Sequence, residues 1–260
     1  MNDTLTNSNN SAKRSCAPDI LRVIAMLYVC LLHGRSNIPN IKYSSPIIQT
    51  LTLLPAWSGV WIFFLISGYT LGLGLFSGKY NIISAESNKI NWKSIWIFYS
   101  RRFIRLAPLY YFYIIVFEII SGNYIVNTSP LMLLKLCTFT FNGVDGIGGL
   151  GHLWYVSTAM QLYIVVPFIY ILLNKIDEKF TIKLFFAVSL AGLLLRNIFY
   201  YCDFDWYRTT YTSFLGNLDL IVAGMILAKI RDRKKFEKYN LLSWILFLIV
   251  SLYNTYIYAF

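Results

Sequence analysis

Apolar residues along this chain come in long runs divided by short polar stretches, and the runs have the length of bilayer-crossing helices. About 20 residues at about 1.5 Å each cross a hydrocarbon core of about 30 Å. On that measure seven spans are predicted, at about 18–35, 56–76, 104–121, 152–173, 182–201, 209–228 and 240–260. Two further apolar pieces are too brief to cross alone. One, 47–54, is bracketed by Pro46 and Pro55; the other, 131–141, carries Lys135 and runs into the glycine-rich NGVDGIGGLG. Pro108 falls in the first turn predicted for the third span, where a missing N–H is tolerated. The second span (AWSGVWIFFLISGYTLGLGLF) holds several glycines, which suit close helix contacts in lipid.

The first run is the stretch around which the rest is expected to be organised. It is apolar almost all round, yet it carries Arg22 and, eleven residues later, His33. At about 100° per residue that separation is three turns plus about 20°, so both side chains share one face, about 16 Å apart along the axis. A cation and an imidazole on a buried face are costly unless that face lines a cavity.

Composition makes the membrane reading firm. Hydrophobic residues are 57% of the chain and charged residues 13%, whereas soluble domains carry about 25% charge. The net charge of +11 sits in short loops between apolar spans, so it reads as a topology signal and no nucleic-acid partner is expected. Cys16, Cys30, Cys137 and Cys202 show no metal-type spacing, so neither a disulfide framework nor a metal site is expected. Residues 1–17 read as a polar, disordered tail without a signal-peptide pattern.

Charge also decides whether 131–141 crosses. If it did, the basic stretch from Lys229 to Lys235 would fall outside, against the positive-inside rule. If it does not, the tail with Lys13 and Arg14, the 77–103 loop, the Lys175/Lys179 loop and the 229–238 loop all share the cytoplasmic side. The expected fold is therefore an all-α, polytopic transmembrane helix bundle of about seven spans, with a short re-entrant or surface helix and a cytoplasmic N-terminus. Residues 18–260 form its one domain. The chain stops at Ala259-Phe260 without a polar tail, as expected of truncation at the C-terminus or of an end flush with the membrane face.

Several side chains are candidates for chemistry. Arg101, Arg102 and Arg105 cluster on one helical surface, and with Arg22 they make a positive collar. Guanidinium forks grip phosphates in bidentate fashion; anchoring to anionic headgroups is the other reading. A desolvated His33 stays neutral and can act as general base for a hydroxyl nucleophile. Asp219 is the most deeply placed carboxylate; it either orients His33 or pairs with an arginine. Glu118 and Arg196 are weaker versions of the same case. His152, Trp154 and Tyr155 open the fourth span on the outer side; Trp154 and Tyr155 have the alternative reading of interfacial belt residues, and His152 at the mouth is placed to contact a substrate. Gln161, two turns on, shares the face of Trp154.

Four stretches taken together resemble the acyltransferase family 3 of bacterial membrane O-acyltransferases. Its opening helix carries an arginine, ten residues and a histidine, as do Arg22 and His33 here. Its FF-x-x-SG-[FY] segment matches Phe63 to Tyr69, and its RR-x-x-R-x-x-P-x-[YW] segment matches Arg101 to Tyr110. Its H-L-W-[FY]-L-S…Q-x-Y…P segment matches His152 to Ser157, then Gln161, Tyr163 and Pro167. A looser match places Asp219 and Gly224 on a late helix. The chain departs from the pattern at Thr158-Ala159-Met160, where many members carry a glutamate, and in having seven predicted spans against about ten.

The resemblance implies transfer of an acyl group, most simply acetyl, from cytoplasmic acyl-CoA to a hydroxyl of a surface polysaccharide or other glycan, at the bacterial inner membrane. Acyl-CoA is then a donor substrate and no cofactor is permanently bound. On this reading Arg22, Arg101, Arg102 and Arg105 hold the CoA phosphates, and His33 activates the acceptor or briefly carries the acyl group. Asp219 orients or balances charge, while His152, Trp154, Gln161 and Tyr163 shape the acceptor site. The alternative is a transporter or flippase for a lipid-linked sugar, with the same polar face lining a path.

Overall fold

The computed structural model describes residues 16–37, 58–84, 89–122, 125, 127, 129–142, 149–202, 205 and 207–230. Among them are seven α-helices: α1 (Ala17–Asn37), α2 (Ser58–Phe76), α3 (Trp92–Ile120), α4 (Pro130–Cys137), α5 (Trp154–Asn174), α6 (Glu178–Tyr201) and α7 (Phe214–Lys229). Strands are absent among the described residues; an isolated antiparallel bridge joins Ile83 and Ile90 in the α2–α3 loop. Five stretches are long and apolar enough to cross a bilayer: α2, α3, Gly151–Asn174, α6 and Arg208–Lys229. α1 matches the first predicted span in extent but is not among these five, so the described residues show five such stretches against seven expected spans. The tail over 1–15, the piece at 47–54 and the seventh predicted span at 240–260 lie outside the described residues.

The bundle is organised around α2 and α7, not around the first apolar run. These two helices run in parallel and touch backbone to backbone. A Cβ on Gly68 would lie 2.2 Å from the Ile221 carbonyl oxygen, and one on Gly224 would lie 2.2 Å from the Leu65 carbonyl oxygen. Only glycine permits such an approach, and it brings the densest dispersion contacts available in lipid. α5 packs on the same pair, so Phe64, Leu71, Leu162, Val166, Ile221 and Met225 form the core. α1 instead lies at the periphery. Ala25 is buried, but Ile20, Val23, Met26 and Leu27 are each more than half exposed. An unbroken apolar run marks a lipid-facing helix as readily as a central one, and that is why the sequence pattern misplaced it.

α3 begins at Trp92, about 12 residues before the predicted start, and continues for 29 residues. Asn91 caps it by accepting the Ser94 N–H at 3.2 Å. At about 43 Å the helix exceeds the hydrocarbon thickness, so its basic first turns are helical rather than loop. Pro108 therefore sits inside α3 and not in its first turn. α4, at about 12 Å, is too short to cross. Its C-terminal end is held by Tyr110 and Tyr111, whose hydroxyls donate to the carbonyls of Leu136 (3.1 Å) and Cys137 (2.7 Å).

Candidate active site

A file of polar side chains runs through the bundle between two clusters, one basic and one of histidines. At its middle stands Ser67, one residue before the glycine that lets α7 approach α2. Two α5 phenols, Tyr155 and Tyr163, lie close enough to its hydroxyl to interact with it. A hydroxyl in an apolar helix needs such partners, because lipid offers none. Tyr155 is wedged against Phe64, with ring centroids 4.9 Å apart. Tyr163 lies close enough to Arg102 and Arg105 to feel both charges.

Arg102 and Arg101 meet at the basic end around Tyr80 of the α2–α3 loop. Arg102 Nη2 donates to the Tyr80 hydroxyl at 3.0 Å, and its guanidinium lies 5.5 Å from the Phe98 ring centre. Arg101 lies 5.5 Å from the Tyr80 ring centre. Burial pushes the Tyr80 phenol up, but Arg102's hydrogen bond and charge prevail, with Arg101 and Lys79 close by, so its pKa falls below the ordinary tyrosine value. Arg22 stands apart from this cluster: its guanidinium is paired with Asp19, one turn earlier on α1, and both side chains are well exposed.

The two histidines come together at the opposite end. His33 of α1 and His152, in the 3-10 turn Gly151–Leu153 before α5, are near enough to interact electrostatically. Both are exposed. Tyr113 flanks His152 edge-on at 4.9 Å and donates its hydroxyl to the Gly149 carbonyl at 3.0 Å. Gly149 has φ +95°, and a Cβ there would come within 2.8 Å of Phe117, so this turn requires glycine. From Tyr163 to His152 is eleven residues along one segment, about 16 Å.

The other candidates are placed as follows. Trp154 is buried against Tyr211, 4.9 Å between ring centres, and is part of the core. Gln161 Nε2 donates to the Phe139 carbonyl at 2.6 Å. Phe139 has φ +55°, an unfavourable conformation for a bulky residue, and Gln161 pins it in place. Glu118 accepts the Ile125 N–H at 3.0 Å. Asp219 is not beside the histidines. Both its oxygens are taken by Arg196, at 2.7 and 2.9 Å. Arg196 also donates to the Gly216 carbonyl at 2.7 Å and lies 5.2 Å from the Trp61 ring centre. Gly192 makes room for the carboxylate, since a Cβ there would lie 2.0 Å from Oδ2. This pair braces α6 to α7 beneath an apolar groove of about 700 Å³.

The chemistry this arrangement permits divides by position. Guanidinium groups at one end suit a phosphorylated ligand. Imidazoles at the other suit proton transfer to or from a hydroxyl. Hydroxyls in between suit an uncharged, hydrogen-bonding chain. Ser67 and Tyr155 fall inside the matched segments but received no role from the sequence, and Tyr80 was not among its candidates, although a serine inside an otherwise apolar, glycine-rich span was a usable signal.

The family model described as "Acyltransferase domain" matches residues 17–260. A curated relative, "Regulator of hypoxia-inducible factor 1" of Caenorhabditis elegans, is 27% identical over 202 residues. The match takes in 68% of this chain and 38% of that relative, so the chain spans well under half of the relative's length. No solved structure matches.

Proposed function

The chain belongs to acyltransferase family 3, and on that premise we propose that it moves an acyl group, most simply acetyl, from acyl-CoA to a hydroxyl of a surface glycan. The observation that carries this reading is the polar file: Arg102 and Arg105 at one end, Ser67 with Tyr155 and Tyr163 in the middle, and His33 with His152 at the other. In this proposal the basic end faces the cytoplasm, by the positive-inside rule. Arg102 and Arg105 hold the donor's phosphates, with Arg101 beside them. The extended pantetheine arm runs along the hydroxyls toward the histidines.

There His33 takes the proton of the acceptor hydroxyl as its oxygen attacks the thioester carbonyl. A C–O bond forms, the C–S bond breaks, and the thiolate leaves with the proton returned by the imidazolium. His152 and the adjoining turn shape the acceptor side. Arg22, held by Asp19, sits away from the phosphate-binding group and is assigned no contact with the donor. Asp219 is assigned the role of a brace.

Incubating the purified chain in nanodiscs with labelled acetyl-CoA and a hydroxyl-bearing glycan tests the reading. Label is expected on the glycan by mass spectrometry. Movement of a lipid-linked sugar across the disc without modification would establish the transport alternative instead.

A further inference from the structure

The α2–α3 loop is folded tightly enough to present one chosen side chain to the arginines. Lys79 N–H donates to the Gly74 carbonyl at 3.2 Å, Ser84 N–H to Lys89 at 3.0 Å and Asn91 N–H to Ile82 at 2.8 Å. Gly78 and Asn81 take left-handed φ values of +78° and +45°, the conformation these two residue types tolerate best. The turn buries Tyr80 to 6% exposure, with its ring edge-on to Phe98 at 5.3 Å.

One phenol thereby serves two neighbouring cations. Its oxygen accepts a hydrogen bond from Arg102, and its face lies under Arg101. Adjacent guanidinium groups repel one another, and each long side chain carries about 2 kcal/mol of rotamer entropy. Left alone they would spread into many conformers. Arg102 is further constrained by burial: its Nε has no acceptor among the described residues. Tyr80 uses one of the five guanidinium hydrogens, which leaves others on Arg102 for a phosphate.

We propose that Tyr80 is a positioning residue for the acyl donor, its hydroxyl holding Arg102, and its ring carrying Arg101, in the arrangement that receives the donor's phosphates. The inference rests on the donor reading given above. A side chain already held loses less freedom on binding, so the benefit appears in donor affinity rather than in the chemical step. The depressed phenol pKa is the electrostatic signature of the same contact, and the charged groups that face the hydroxyl are Arg101, Arg102 and Lys79.

The test compares wild type, Tyr80→Phe and Tyr99→Phe as full chains in nanodiscs, with acetyl-CoA as the probe. Tyr80→Phe keeps the ring contacts and removes only the oxygen. Tyr99 bonds the Ile164 carbonyl at 2.7 Å and serves as the control. The Kd and KM for acetyl-CoA are expected to rise about 3- to 10-fold in Tyr80→Phe, the range for one hydrogen bond, with kcat at saturating donor unchanged and Tyr99→Phe like wild type. Equal or tighter binding by Tyr80→Phe, alongside measurable binding by wild type, overturns the role of Tyr80 alone. Absence of binding by wild type overturns the donor reading and this inference with it. Alkaline absorbance titration gives a readout independent of the donor: one tyrosine ionises early in wild type and later in Arg102→Leu, which removes both the charge and the hydrogen bond. Should Tyr80→Phe elute as aggregate, this titration decides, and no early-ionising tyrosine overturns the proposal.

Discussion

Replacing Asp219 by asparagine removes one charge from a pair that is nearly sealed, Arg196 at 11% and Asp219 at 16% exposure. Arg196 stays where it is, held by the Gly216 carbonyl and the Trp61 ring, and its charge is left without a counter-ion. Removing one partner of a buried ion pair costs about 3–5 kcal/mol. With about 2–4 °C per kcal/mol for a chain of this size, the melting midpoint falls by roughly 6–20 °C. Replacing Asp219 and Arg196 by leucine, singly and together, removes one charge or both, and the double variant is expected to be more stable than either single leucine variant. The coupling in the double-mutant cycle then exceeds the larger single loss, at about 3 kcal/mol or more. Thermal unfolding in detergent, followed by tryptophan fluorescence, measures all four corners. Acyl transfer is assayed below the lowest midpoint. Strictly additive losses would refute the brace, and a stable double variant that transfers no acyl group would make Asp219 a participant in the chemistry after all.

Three other outcomes follow from the same geometry. Gly224→Ala drives a methyl group to 2.2 Å from the Leu65 carbonyl oxygen and 2.6 Å from the Tyr69 amide; because backbone must yield, the upper part of the 1–3 kcal/mol overpacking range is expected, read as a lower melting midpoint. His33→Ala is expected to abolish acyl transfer while membrane insertion stays intact, and His152→Ala to raise the KM for the glycan; unchanged transfer in the first variant refutes the base assignment. Arg102→Ala is expected to weaken acetyl-CoA binding by about 10- to 100-fold, as for loss of a hydrogen bond to a charged group, whereas the exposed Lys179→Ala changes it little; equal losses would mean that only general surface charge matters.

Much of the architecture was legible along the chain. Runs of about 20 apolar residues gave the positions of α2, α5, α6 and α7 to within a few residues, because hydrocarbon thickness leaves little choice of length. The start of α3 was not legible. Lys93, Arg101 and Arg102 look like loop residues when charge is the criterion, yet arginine and lysine are good helix formers, and the Asn91 cap was the better signal. The centre of the bundle was hidden for a different reason. Hydrophobicity says that a helix lies in the membrane, not which neighbours it touches; the spacing of Gly68 and Gly72 held that information.

The site divides in the same way. Arg102, Arg105, His33 and His152 stood out because charges and imidazoles are rare in such a chain, and the fold gathers them into two clusters. Asp219 and Arg196 each stood out too, but a pairing between residues 23 positions apart depends on how α6 crosses α7. Tyr163 was singled out for the acceptor side, whereas Ser67 and Tyr155 lay in matched segments without a role of their own, because hydroxyls are commonplace and only their convergence from separate helices gives them meaning.

α3 has a mechanical consequence as well as a structural one. Arg102 and Arg105 ride on one half of this 29-residue rod; Tyr110 and Tyr111, which seat the short α4, ride on the other. Pro108 stands between them and denies the Ile104 carbonyl its in-helix donor, so a point short of one backbone hydrogen bond separates the spar's grip from its footing. A change of angle at that joint would swing the guanidinium groups relative to the α4 platform, as a wrist turns a hand without moving the forearm.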